Sequence, residues 1–390
     1  MQTNMRRETG FTLIELLVAM AVTLLIAAAT LGLFSYALNV NASGTQISNI
    51  NGNLRSAMNL VVRDLLQAGH GYPVGGVALP TGGGCQNINR PVFTGAAQFP
   101  YGCANPALYP NMPAVAPGSG LGPNVIANPN LTWMPQPTPN SKNSDMITFI
   151  YADPNLVTNV DPVTGLSNYL VSISSTSLVF SGTVPITGAA VTDPAAANDV
   201  FLVSGGGGLN RLVEATAVNG QTVTINSADP LNLNQQSSAP GVTGTIYDLQ
   251  AKTGVAYGTA CDQTKIPLPA ACAYTAQRVL MISYFLDDST VVNGQTVPRL
   301  MRQVGMNPPT SVAEVIEDLE FSYDYVTPTP PPINNQTSTP AGLTDNQIRK
   351  VNLFMAARSD TVLTATNQYI RSNMAIQVDI RSLAFVDRYH

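Results

Sequence analysis

The sequence predicts an α+β chain: one long N-terminal α-helix, with a transmembrane half and an amphipathic half, packed on an antiparallel β-rich globular head. Three observations predict it. Residues 11 to 38 are almost wholly apolar, and from Ile47 to Leu65 apolar residues recur every three or four positions. From Asp145 onward, short runs rich in Val, Ile, Thr, Phe and Tyr are separated by Gly, Pro, Asn and Asp.

The first run is broken only by Thr12, Glu15, Thr23, Thr30, Gly32, Ser35 and Tyr36. It exceeds the roughly 20 residues that a helix needs to cross a hydrocarbon core, and a helix satisfies its own backbone in lipid. Arg6 and Arg7 precede it and no comparable basic cluster follows, which leaves the start in the cytoplasm and the rest outside. A secretory signal peptide shares this plan, and Ala27-Ala28-Ala29 supplies small residues for a cut site. Glu15 argues against it. A carboxylate inside a membrane span costs a few kcal/mol, so it is retained for a purpose and has a partner.

The string Gly10-Phe11-Thr12-Leu13-Ile14-Glu15-Leu16-Leu17-Val18-Ala19-Met20 resembles the N-terminal signature of type IV pilins and type II secretion pseudopilins. The resemblance implies a leader, residues 1 to 10, removed by prepilin peptidase after Gly10, and methylation of the new amine on Phe11. It also implies that Glu15 pairs with the Phe11 amine of a neighbouring subunit, the kind of partner a buried charge requires. The helix then anchors the subunit in membrane lipid first and enters a fibre core later.

Beyond residue 38 the helical period continues through Ile47, Ile50, Leu54, Met58, Val61 and Leu65, so residues 39 to 68 form the amphipathic half. Asn49, Asn51, Asn53, Arg55, Asn59, Arg63 and Asp64 fall mostly on other faces. Gly69, Gly71 and Pro73 end the helix, and Gly32, Gly44 and Gly52 mark places where it bends or melts. From Phe11 to Gln67 its length is on the order of 85 Å.

The head, residues 69 to 390, is poor in charge. Only 11% of the chain is charged, with 18 basic against 23 acidic side chains; loss of the leader leaves 16 against 22. Nothing in that balance recommends nucleic-acid binding, which needs clustered Lys and Arg. The cysteines are Cys85, Cys103, Cys261 and Cys272. An even number in an exported chain favours disulfides, and loop entropy favours Cys85 with Cys103 and Cys261 with Cys272. Zinc lacks both a Cys-x-x-Cys and histidines beyond His70 and His390.

Residues 70 to 143 form a Gly/Pro-rich insertion around the only tryptophan, Trp133, with few regular elements expected. Strands are expected at Met146 to Tyr151, Tyr169 to Phe180, Asp199 to Val203, Arg211 to Val218, Thr222 to Ile225 and Gly244 to Leu249. Asn219-Gly220 and Asn293-Gly294 are hairpin signals.

In the C-terminal third, Val279 to Phe285, Pro298 to Arg302, Val315 to Tyr323, Ile348 to Ser359 and Ile376 to Ala384 resemble segments of PilW-type minor pilins in the same order, and also the J-type pseudopilin. Read without the family, they are core strands. Val315, Leu319, Phe321, Tyr323 and Tyr325 share a face, Val312 to Leu319 begins as a helical turn, and the strand through Val351, Leu353 and Met355 is covered on both faces.

No catalytic constellation is present. Ser204-Gly205-Gly206-Gly207-Gly208 lacks the Lys-Ser/Thr of a phosphate loop, and the carboxylates at Asp287-Asp288 and Asp318-Leu319-Glu320 have almost no histidine to work with. Asp153, Asn155, Asn159 and Asp161 are a weak calcium candidate without EF-hand spacing. The sequence therefore points to a non-enzymatic minor pilin of PilW type with no cofactor. It spans the inner membrane once with its head in the periplasm, and later reaches the pilus at the cell surface. Its partners are prepilin peptidase, other minor pilins, the major pilin and the assembly platform. A J-type pseudopilin and a membrane-tethered adhesin or binding module are the alternatives.

Overall fold

A computed structural model describes residues 12–91, 98–123, 143–156, 170–180, 186–187, 193–205, 209–235, 244–246, 274–292, 294–327, 331–362 and 368–384. They fall into two compact units, Met1–Gly52 with Arg358–Ser372, and Asn53–Ala357 with Asn373–His390. One helix, α1 (Leu13–Leu65), contributes residues to both.

In the first unit α1 is apolar and exposed from Leu13 to Leu38. Its 18-residue window of highest apolarity has a mean hydropathy of 2.5 with nothing buried. The hydroxyls in this stretch turn back on the helix, Thr23 Oγ1 donating to the Ala19 carbonyl at 2.7 Å and Thr30 Oγ1 to that of Ala27 at 2.9 Å. Each donor is therefore satisfied without water. Gly32, Gly44 and Gly52 were expected to bend or melt the helix; all three are helical, because the i to i−4 bonds run through them without a proline to interrupt. Two later residues reach the polar end of this part of α1: Gln46 Nε2 donates to Thr361 Oγ1 at 3.0 Å, and Ser372 Oγ to Asn51 Oδ1 at 2.8 Å.

In the second unit the last turns of α1 are amphipathic as the period predicts. Leu54, Ala57, Met58, Val61 and Leu65 are buried, each worth about 1.5–3 kcal/mol for the larger side chains. The helix ends at a turn through Gly69 and Gly71. A Cβ on Gly71 would lie 2.5 Å from that of Ala152, so the chain passes too close to the neighbouring strand for any other residue. His70 O accepts from Ala152 N–H at 2.7 Å in that crossing.

Among the described residues, four sheets form the head. The largest has nine strands in the order β15 (Thr310–Glu314), β14 (Arg299–Val304), β11 (Thr275–Asp287), β7 (Val200–Ser204), β8 (Asn210–Glu214), β1 (Val77–Ala78), β2 (Asn111–Met112), with β4 (Met146–Ala152) on β11 and β3 (Val115–Gly118) on β4. Its pairings are antiparallel except β1 with β8. The second sheet is β5 (Leu170–Ile173), β6 (Ser177–Phe180), β10 (Thr222–Thr224), β9 (Ala217–Asn219). The third is the hairpin β12 (Val291–Val292) with β13 (Gln295–Thr296). The fourth is β17 (Ile333–Gln336), β16 (Ile316–Tyr325), β18 (Ile348–Arg358), β19 (Arg371–Asp379). A short helix, α2 (Arg381–Ala384), follows β19.

β11 is the spine of the head. It bonds β7 through Thr275 to Val279, β4 through Val279 to Tyr284, and β14 through Ile282 to Asp287. Tyr284 of β11 and Arg302 of β14 are cross-strand partners. Both reach Asp64 Oδ2 in the last turn of α1, the tyrosine hydroxyl at 2.8 Å and the arginine Nε at 2.7 Å. A carboxylate at a helix C-terminus opposes the macrodipole, and Asp64 is almost fully buried. Its place depends on these two donors.

Several expectations change in detail. Tyr169 to Phe180 is two strands, β5 and β6, because Ser174 forms a turn in which its Oγ accepts from Thr176 N–H at 3.2 Å. Arg211 to Val218 also divides, with β8 in the large sheet and β9 in the second. The Asn219-Gly220 hairpin is present with Thr222 opposite Asn219, so the two loop residues are Gly220 and Gln221, one position later than the signal suggests. The glycine takes the left-handed conformation (φ 59°). Gly244 to Leu249 is not a strand where it is described, at 244–246. Val312 does not begin a helical turn: Thr310–Glu314 pairs with β14, and Val315 at φ 58° turns the chain from the large sheet into β16. In β18, Val351, Leu353 and Met355 are buried, whereas Asn352 and Phe354 are half-buried, so one face is covered fully and the other in part.

Among the described residues of the 70–143 insertion the regular elements are few and short, namely β1, β2, β3 and a 3-10 turn at Gly102–Ala104. Cys85 and Cys103 are joined, with Cα atoms 5.8 Å apart. Arg90, fully buried, donates to the carbonyls of Ala116 (3.2 Å) and Pro117 and to Thr148 Oγ1 (3.3 Å), and stacks over Phe99 with Cζ 4.5 Å from the ring centroid. Trp133, Cys261 and Cys272 lie outside the described residues.

Replacing Asp64 by Ala removes the acceptor shared by Tyr284 and Arg302. We expect a loss of about 3 kcal/mol in urea denaturation of the detergent-solubilised chain, and about 1 kcal/mol for Tyr284→Phe. Equal small losses for both would show that the carboxylate is not the organising partner.

Candidate assembly site

The N-terminal turn of α1 is built by two side chains. Thr12 precedes the helix, and its Oγ1 accepts from Glu15 N–H at 3.4 Å. Glu15 Oε2 accepts in return from the Thr12 backbone N–H at 3.0 Å and from the Thr12 hydroxyl at 2.9 Å. This reciprocal capping box satisfies donors that a helix otherwise leaves open, and it sets an anion against the positive end of the helix dipole. Glu15 Oε1 has no hydrogen bond among the described residues. The arrangement therefore fixes the carboxylate through one oxygen and leaves the other without a partner among the described residues. Around it Leu13, Ile14, Leu16 and Leu17 are all exposed.

Residues 5–31 match the Prokaryotic N-terminal methylation motif. The match supports a type IV pilin-like chain of the pilin and pseudopilin superfamily. No curated protein and no solved structure matches the chain. The methylation motif spans Gly10 and Phe11, which lie outside the described residues, together with Thr12 and Glu15, which the structure brings together. With the apolar helix that follows, it fits membrane anchoring ahead of a C-terminal head. A motif of this kind engages prepilin peptidase and filament components in general.

Away from the methylation motif, two of the four calcium candidates, Asp153 and Asn155, fall on described residues. Asp153 is buried and ion-paired with Arg278 of β11 through Oδ2, while Oδ1 accepts from Asn155 N–H at 2.9 Å in an Asx turn. Asn159 and Asp161 lie outside the described residues. Arg278 also binds Asp193 and Asp199, so one guanidinium gathers three carboxylates from two separate stretches of the chain. Among the described residues no group of three His, Cys, Asp or Glu is placed to hold a metal.

The head holds other buried acids that sequence reading missed as a class. On β8, Glu214 Oε2 accepts from Leu231 N–H at 2.8 Å, and Asp229 lies beside it. Burial pushes both carboxyl groups up, and their mutual repulsion adds to this for Glu214. On β16, Asp318 is raised to about 7 and Glu320 to about 8, in both cases by burial first and by the nearby Asp145 second among the raising causes. The only sequence signal was the alternation of acids with apolar residues in β16.

These shifts fix the sign of a pH dependence. Each group holds its proton more tightly in the folded chain than in the unfolded one, so stability falls as pH rises from the ordinary carboxyl range, about 4–4.5, through about 8, and levels off above. Urea midpoints measured between pH 5 and pH 8.5 are expected to decline over that window. Asp318→Asn should flatten the decline; a midpoint that rises with pH in the wild type would show that Asp318 is ionised in the fold.

Proposed function

We propose that this chain is a non-catalytic minor pilin of PilW type, inserted in the inner membrane, cleaved after Gly10, and assembled into a type IV pilus through α1. The observation that carries the reading is the half-engaged carboxylate of Glu15 at the head of a long, bare, apolar helix. In lipid such a charge is costly. The amine freed at Phe11 of an adjacent subunit is the cation that meets the open oxygen, and that pairing makes insertion into a polymer favourable.

The PilW-like segments of the C-terminal third support the finer assignment. They fall on β11, β14, β16, β18 and β19, two adjoining strands of the large sheet and three of the fourth. The head then sits outside the cytoplasm, first in the periplasm and later at the fibre, where it primes assembly or occupies the tip. Other minor pilins, the major pilin and the assembly platform are its partners.

Mass spectrometry of the protein from its host is expected to find a chain that begins at a methylated Phe11. Glu15→Leu should leave membrane insertion intact while its incorporation into sheared filaments drops at least tenfold. Normal incorporation of that variant, or a chain that begins elsewhere, would refute the assembly role. Recovery with a secretion pseudopilus in place of surface pili would transfer the same mechanism to a J-type subunit.

A further inference from the structure

Beside the Asp64 contact runs a groove of about 490 Å³ between α1 and the edge of the large sheet. Ser56, Asn59 and Arg63 line it from the helix, Arg302 from β14, and Thr310 and Ser311 from β15. Leu60 and Val312 add apolar surface and no carboxylate lines it. The charges do not cancel. Asp64 is bound by Arg302 at 2.7 Å, and Arg63 approaches its other oxygen only to 3.6 Å with a side chain 66% exposed. Two guanidinium groups thus share one carboxylate, leaving a positive groove on a chain whose formal net charge is −5.

A second feature adjoins it. β15 is the last strand in the order of its sheet, so its outer edge has no strand partner among the described residues, and Thr310 and Ser311 are exposed. An open edge offers N–H and C=O groups to an extended chain. Guanidinium groups match carboxylates in geometry as well as charge. The lining begins at Ser56, well past Leu38, where the lipid-length run ends in the sequence, which favours protein over a lipid headgroup as the source of the anion.

We propose that this groove docks an extended, acidic segment of a neighbouring protein, with its carboxylate on Arg63 and Arg302 and its backbone added to β15. Recognition at this place is separate from the pairing of Glu15 and is made by the head.

The test uses the full chain in its host with the photo-crosslinker p-benzoylphenylalanine in place of Ser311. Irradiation is expected to join that position to one peptide with an Asp or Glu within a few residues of the crosslink. Arg63→Glu should cut the yield at least tenfold, Arg63→Lys should keep most of it, and Lys in place of the partner's acid should restore it to Arg63→Glu. The thermal midpoint of Arg63→Lys is expected to match the wild type, whereas Arg63→Glu, which sets a second carboxylate beside Asp64 in the last turn, should lower it. If Arg63→Glu does not fold, Asn59→Asp delivers the negative charge from the next turn and should act in the same direction. A crosslink to lipid, a crosslinked peptide without an acid, no crosslink, or a yield indifferent to charge at these positions would each overturn the proposal.

Discussion

The head is organised around one buried carboxylate. Asp64 sits at the end of a long helix where the dipole disfavours it, and it is accepted there because Tyr284 and Arg302, opposite one another on adjacent strands, both donate to the same oxygen. That contact sets the rotation of the helix over the sheet. With Asp64 turned inward, the stripe through Leu54, Met58, Val61 and Leu65 is turned inward as well, and Arg63 is left at the surface. Much of what distinguishes the two faces of the helix follows from this single orientation.

Charge is used sparingly elsewhere and in two ways. Arg278 collects three acids, and Arg90 is surrounded by carbonyls and an aromatic ring instead of an ion pair. Glu214 and Asp229, and Asp318 and Glu320 on β16, have no such cation among the described residues, and burial raises the pKa of each. The first arrangement ties distant segments together. The second makes the stability of the fold depend on pH.

How much of this was legible in the sequence depends on the range of the interaction. The helix and its change of character near residue 40 are local, since the period is written along the chain, whereas the reciprocal pairing of Thr12 with Glu15 was not read there although its spacing is local as well. Most strands were also visible, although boundaries moved where a side chain such as Ser174 competed for the backbone or where Val315 took a left-handed turn. What the sequence hid were partners brought from far away: Asp64 with Arg302, Arg278 with Asp153, and Arg90 inside a block that reads as loop. Those residues carry no pattern in one dimension, because their meaning lies in which strands become neighbours.

The position of Tyr284 has a mechanical side. It lies on the spine strand with Arg302 opposite on one edge and Ile147 on the other. Tension arriving along the helix through Asp64 would therefore enter the sheet at an interior point flanked by neighbours, not at a free end. Rupture from such a point has to break several backbone bonds together, whereas a load applied at an edge strand peels them one by one.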